Sequence, residues 1–275
     1  MGKTLTYESW KHDHLPYLEK ISGKRAVVTF SGGKDSSILL YFMIKAGEEF
    51  GFVCEAEGAA FPHHVLDDAE QQRFREFWSK LGIAITWHAT DTSDSELDEA
   101  PAAGVNPCRV CNKTKKTVLL SAIGKSANDL ENMVLVMGYS LWDLTSATLE
   151  NILNTCTASE GDPENTAMES RLMETAQRFY PWLQFQGGPS IFKPLLLYND
   201  RAIVDAIEKY DVPVSRNECR HKLQRPKRRF AEYYRAADLE FDFERIRDLW
   251  QRNLPLPPAS EFEAMGSKAY LGTRL

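Results

Sequence analysis

"AVVTFSGGKDSSILL", Ala26 to Leu40, passes from a short β-branched run through two glycines, a lysine, an aspartate and two serines, then back into aliphatics. Ala26-Val27-Val28-Thr29-Phe30 has the length and composition of a buried parallel strand, and the apolar residues from Ser36 to Lys45 recur at helical spacing. Ser31 to Asp35 is therefore a strand-to-helix loop. Paired glycines let the backbone turn sharply and bring its N–H groups close to a ligand, and the start of the next helix favours an anion. The first expected ligand is phosphate. An ordinary βα turn can carry glycine too, but here Ser, Gly-Gly, Lys, Asp and Ser stand together directly after a strand.

"SGGKDSS" lacks the G-x-x-x-x-G-K-[ST] spacing of the nucleoside-triphosphatase P-loop. It resembles instead the PP-loop of the ATP pyrophosphatase superfamily. That resemblance implies cleavage of ATP between the α- and β-phosphates, usually with transfer of AMP to a carbonyl oxygen.

The chain of 275 residues has a formal net charge of -6, so composition does not forecast a strongly basic nucleic-acid binder. Its start, "MGKTLTYESWKHDH", is polar, and no apolar run has the length of a membrane span. A cytoplasmic protein is expected. Five cysteines, an odd number without a secretion signal, argue against a disulfide framework and direct attention to metal or redox chemistry.

The alternation of elements predicts an α/β doubly wound parallel sheet. Residues 1–23 read as an N-terminal helical extension, residues 24–255 as the PP-loop domain, and residues 256–275 as a tail. "FGFVCEAEG" reads as a second strand ending near Glu55, Ala69 to Leu81 as a helix, and "IAITWHAT" as a third strand. The acidic segment 91–104 reads as a loop. A helix from Val110 to about Gly124, a fourth strand "VLVMG" and a helix containing "TLENILN" follow. Residues 154–190 read as a helical insertion, "IFKPLLL" as a fifth strand, Asp200 to Tyr210 as a helix, and "FERIRDLWQRN" as an amphipathic helix.

"NPCRVCNKTKK" places Cys108 and Cys111 two residues apart at the start of a helix. C-x-x-C spacing suits a shared metal or cluster, and a helix N-terminus with nearby lysines is expected to lower thiol pKa. The same pair also fits two small half-buried residues at a turn. A structural zinc asks for four protein ligands, whereas Cys219, in "RNECRHK", supplies only a third thiol. Three thiolates better suit an iron–sulfur cluster with one open iron. Cys54 reads as a small core residue, and Cys156 is given no ligand role.

The order SGGKDSS, FPHHVLDD, PCRVCNKTKK, VMGYSLWDLTSATLENIL, IFKPLLLYNDRAIVDAIEKYDVPV and ECRHKLQRPKRRFAEYYR resembles the iron–sulfur tRNA thiolase group of PP-loop enzymes, which makes 2-thiocytidine or 2-thiouridine. The fold this implies is adenine nucleotide alpha hydrolase-like. The resemblance implies ATP bound by Ser31, Gly32, Gly33, Lys34, Asp35, Ser36 and Gly138, with Asp35 near Mg2+. It implies a 4Fe-4S cluster on Cys108, Cys111 and Cys219, and an assisting role for Lys115, one helical turn after Cys111. Asp143 falls on the second aspartate of a Gly-x-x-x-Asp-Asp motif; Trp142 stands in place of the first, and Ser146-Ala147 in place of a Glu-Thr-like pair.

The reaction so implied is ATP-dependent sulfur transfer, in which a nucleobase-type carbonyl is adenylated and its oxygen replaced by sulfur. Expected partners are tRNA or a small nucleobase-like acceptor and a sulfur donor, sulfide or a carrier, with a homodimer left open. Trp142, the acidic balance and the insertion favour a free nucleobase or another small lactam; the family resemblance favours tRNA. A sulfonucleotide reductase and a catalytically silent nucleotide- or RNA-binding module are the rival readings. Arg220, Lys222, Arg225, Lys227, Arg228 and Arg229 form a positive stretch that fits RNA phosphate, AMP or pyrophosphate contact, or a solvated helix face. His63 and His64 fit either the mouth of the nucleotide site or a solvated loop.

Overall fold

A computed structural model describes residues 2–61, 65–90, 93–125, 127–157 and 164–265; His63 and His64 lie outside them. Helix α1 (Tyr7–Ile21) begins at a Thr6–Ser9 capping box and buries Trp10, Leu18 and Ile21. It leads into β1 (Arg25–Thr29) and α2 (Lys34–Phe50), the strand–loop–helix unit read from the opening motif. Trp10 packs its ring 5.4 Å from that of Phe42 on α2, so the N-terminal helix is part of the main core.

Next come β2 (Val53–Ala60), α3 (Asp68–Ser79) and β3 (Ile85–Ala89). β2 continues past Glu55 because its acidic residues find partners on the sheet: Arg25 binds Glu55 at 2.8 Å and His88 pairs with Glu57. Within the segment expected to be a loop, Ser93 caps a short helix, α4 (Asp94–Glu99), whose Leu97 is fully buried. α5 (Pro107–Lys125), β4 (Met133–Val136) and α6 (Leu141–Thr157) follow.

The region expected to be a helical insertion, residues 154–190, contains α7 (Glu164–Ala176) but also β5 (Trp182–Gln184), which pairs antiparallel with β6 (Ser190–Phe192). The sheet is thus six-stranded in the order β3-β2-β1-β4-β6-β5, parallel except for that edge strand. Strand β4 is buried at every position, as a central strand covered on both faces must be.

α8 (Asp200–Tyr210) matches its sequence-derived bounds, and the basic stretch becomes a short 3-10 turn, Lys222–Gln224, and α9 (Pro226–Ala236). α10 (Phe243–Asn253) lays Ile246 and Trp250 on the second core with Leu135, Leu183 and Ile191. The tail adds α11 (Ala259–Glu263), whose Phe262 is fully buried beside Tyr180 at 5.8 Å. Burying such a ring contributes about 1.5–3 kcal/mol.

Candidate functional site

In this sheet the order reverses between β1 and β4, so loops leaving their carboxyl ends diverge and open a crevice, where doubly wound sheets hold ligands. The first loop is Ser31 to Gly33. Gly32 has φ +71°, and a Cβ there would lie 2.8 Å from Leu66, so the turn needs glycine on both counts. The Ser36 hydroxyl, at the first turn of α2, donates to Gly33 O at 3.0 Å and accepts from Ser31 N at 3.2 Å. Ser215 N donates to Gly32 O at 2.7 Å, which fastens the segment after α8 to the loop. No side chain caps α2 at Gly33, leaving its first-turn N–H groups available to an anion.

The second loop approaches the first through Gly138. A Cβ on it would stand 3.3 Å from both the Asp35 carbonyl carbon and Ser36 N. Two residues on, Ser140 starts α6: its N–H donates to Asp143 Oδ2 at 3.0 Å, and Asp143 is only 5 % exposed.

Charges alternate across this junction. Lys34 Nζ lies 2.6 Å from Asp35 Oδ1 and 2.7 Å from Asp200 Oδ1, and Asp200 Oδ2 also receives Arg235 Nη2 at 3.2 Å. Burial opposes the Lys34 charge, but the two carboxylates outweigh it and hold its pKa above the usual lysine value. Asp143 Oδ1 pairs with Lys227 from α9. Burial pulls the Lys227 pKa down to about 8 and Asp35 works against that shift. The cations Lys34 and Arg228 add to the downward shift.

Trp142 does not play the part of an acid. Its indole Nε1 donates to Asn199 Oδ1 at 3.2 Å, its ring meets Tyr234 edge-on at 5.3 Å, and the Arg235 guanidinium lies 5.5 Å from its centroid. Trp142, Ala231 and Tyr234 form a small core that mounts α9 on α6. Ser146, at 1 % exposure, lies beside the Tyr234 hydroxyl at 3.5 Å.

The cysteine pair sits at the start of α5, where Asn106 Oδ1 accepts from Cys108 N at 2.9 Å. Asn106 Nδ2 donates to Gln224 O at 2.9 Å, and Arg220 and His221 reach Asp98 of α4 at 2.8 and 3.1 Å. These contacts clip the segment after Cys219 onto α4 and the start of α5, and Cys108 Sγ stands 3.9 Å from His221 O. All three cysteines are half-buried and free. Burial raises the Cys108 and Cys111 pKa values; Arg225 and Lys115 oppose it, and Cys219 adds to it at both. The expected lowering of thiol pKa is thus reversed, because desolvation exceeds the pull of the nearby cations.

The thiols share one electrostatic neighbourhood, and as a donor set they suit an iron–sulfur cluster in chemistry. Among the described residues, no group of three or more His, Cys, Asp or Glu side chains is gathered closely enough to hold a metal ion. The cysteines are neighbours rather than an assembled ligand set. Lys115 Nζ lies 5.8 Å from the Phe61 ring centroid and acts on Cys111 from the next turn of α5. Cys54 is inert by comparison, its thiol pushed up to about 12 by burial, and Cys156 is exposed on α6. Sequence reasoning missed Asp200 and Arg235. Asp200 carried a signal, since it opens the helix after a central strand and therefore lies on the carboxyl edge.

No family model matches the chain, and no curated protein sequence matches it. Among solved structures it is similar to the U34-tRNA thiolase NcsA from Methanococcus maripaludis with its 4Fe-4S cluster, at TM-score 0.61 and 14% identity, over 90% of this chain and 79% of that one. It also aligns with NMN synthetase from Francisella tularensis at TM-score 0.49 and 12% identity, over 92% of this chain and 99% of that one. The likeness to the thiolase establishes the fold: the α/β PP-loop, adenine nucleotide alpha hydrolase-like architecture. Among the described residues, no helix is long and apolar enough to cross a membrane.

Proposed function

We propose that this chain is an ATP-dependent sulfur transferase that adenylates a nucleobase-type carbonyl and replaces its oxygen with sulfur, with tRNA as the acceptor. The observation that carries the reading is the meeting of two features on the carboxyl edge of one sheet. There the SGGKDSS loop closes against Gly138, and the Cys219 segment is clipped onto the cysteine helix. Ser31 to Ser36 and Gly138 cradle the ATP phosphates, and Lys34 meets the charge that grows on departing pyrophosphate. Asp35 would hold Mg2+, and Asp143 lies beside the reacting groups.

The carbonyl oxygen attacks the α-phosphorus, pyrophosphate leaves, and the base carbon becomes open to sulfide, which displaces AMP. Cys108, Cys111 and Cys219 would hold the 4Fe-4S cluster, which supplies an iron without a protein ligand for sulfide. Lys115 lies beside Cys111 and supports that end of the site electrostatically. The neighbouring thiolase fold and the exposed Arg225, Arg228, Arg229 and Tyr233 around the start of α9 support RNA as acceptor. The protein belongs in the cytoplasm on this reading.

The test is anaerobic incubation of the purified chain with ATP, sulfide and either tRNA or free nucleobases, followed by nucleoside mass spectrometry. Thionucleoside with matching AMP and pyrophosphate is expected. Thiolation of free base alone moves the acceptor to a small molecule. Sulfite release indicates a sulfonucleotide reductase, and an inert protein indicates a binding module.

A further inference from the structure

Lys227 stands apart from the rest of the basic stretch. Arg220 is directed to Asp98, Lys222 to Glu218 and Arg229 to Leu223 O, whereas Lys227 reaches Asp143. Its partner Asp143 accepts from Ser140 N, two residues past the Gly138 that packs against Asp35 and Ser36, so the pair stands beside the SGGKDSS loop. About a third of the Lys227 side chain, 34 %, remains exposed. The Trp142, Ala231 and Tyr234 cluster fixes the helix that carries it.

At the loop, three carboxylates, Asp35, Asp143 and Asp200, are paired with three cations, Lys34, Lys227 and Arg235. A polyphosphate entering this self-neutralised junction gains attraction only as its cations leave their carboxylates. Lys34 alone would meet a triphosphate with one ammonium. We propose that Lys227 is a second polyphosphate-binding lysine of this site, delivered by α9, and that it exchanges Asp143 for nucleotide phosphate. This rests on the ATP-dependent reading above and adds to it a residue 193 positions beyond Lys34. RNA backbone would instead be met by the exposed Arg228 and Arg229.

The test is calorimetric titration with α,β-methylene-ATP and with AMP of the parent chain and of K34A, K227M and K227R variants. K227M is expected to bind the triphosphate analogue about tenfold or more weakly, in line with losing a hydrogen bond to a charged group. Its AMP affinity should hardly change, and K227R should recover most of the loss. Because K227M strips Asp143 of its partner, K227M/D143N is compared with D143N as a second pair; the same loss is expected. Parent-like triphosphate binding by K227M while K34A loses it overturns the assignment of Lys227 and leaves the ATP reading intact. Failure of the parent to bind either nucleotide overturns both.

Discussion

Gly138 stands against Asp35 so closely that a Cβ on the glycine would lie 3.3 Å from the aspartate's carbonyl carbon. The neighbour is backbone, which cannot swing aside as a long side chain can, so the spacing between the two loops is set by a missing methyl group. Gly138→Ala should cost about 1–3 kcal/mol of stability by overpacking. It should also weaken nucleotide binding by displacing the start of α2. Paired thermal melts and ATP-analogue titrations check this; a Gly138→Ala protein unchanged in both would show that the junction is looser than its geometry.

Lys34→Ala removes the ammonium held by Asp35 and Asp200. If pyrophosphate departure uses that charge, ATP cleavage should slow by the equivalent of about 2–4 kcal/mol, the usual loss for one preorganised donor. The buried Asp200 keeps Arg235 as partner, so the fold should survive. The readout is pyrophosphate release per chain, and an unchanged rate would remove Lys34 from the chemistry.

Cys219→Ala should separate sulfur chemistry from nucleotide binding. Anaerobic reconstitution of the parent is expected to give about four irons per chain, the stoichiometry of the cluster. The variant should lose most of that iron and its visible absorption while its ATP affinity stays the same. Full iron content in Cys219→Ala would place the third ligand elsewhere.

His14 is buried against Trp10, Phe192 and Tyr198, with Nδ1 2.7 Å from Trp10 O. Burial lowers its pKa to about 4 from 6.5. Between those values the folded ring stays neutral while the unfolded chain takes up a proton, so acidification favours unfolding. Up to about 3 kcal/mol should be present above pH 6.5 and lost as the pH falls toward 4. Urea titrations across that range should show a shallower pH dependence in His14→Gln than in the parent. Equal slopes would mean that other groups carry the acid sensitivity.

Local features were legible where one segment contains its own explanation. The β1 strand, the glycine turn and α2 follow from a β-branched run meeting helical spacing, and α8 from an amphipathic stripe with Ile203 and Ala206 inward. The end of β2 was missed because Glu55 and Glu57 look like loop residues until Arg25 and His88 are beside them. β5 is three residues next to a Gly-Gly-Pro breaker, too short for any periodicity to register. At the site, the loop and the cysteine spacing could be read directly. The clasp of Lys34 by Asp200, and of Asp143 by Lys227, joins residues more than eighty positions apart, and pairing at that range leaves no trace in local pattern.

The outer edge of the sheet ends at β5, where Gln184 N donates to Glu263 Oε1 at 2.9 Å and Phe262 of α11 is buried alongside. An open edge strand offers its N–H and C=O row to any other chain. Here the last described helix covers part of that row, with Tyr180 also bound to Pro257 O at 2.5 Å. A chain cut at 255 would keep every residue of the candidate site, yet it would uncover the Gln184 edge that Glu263 now satisfies and the core surface that Phe262 now fills.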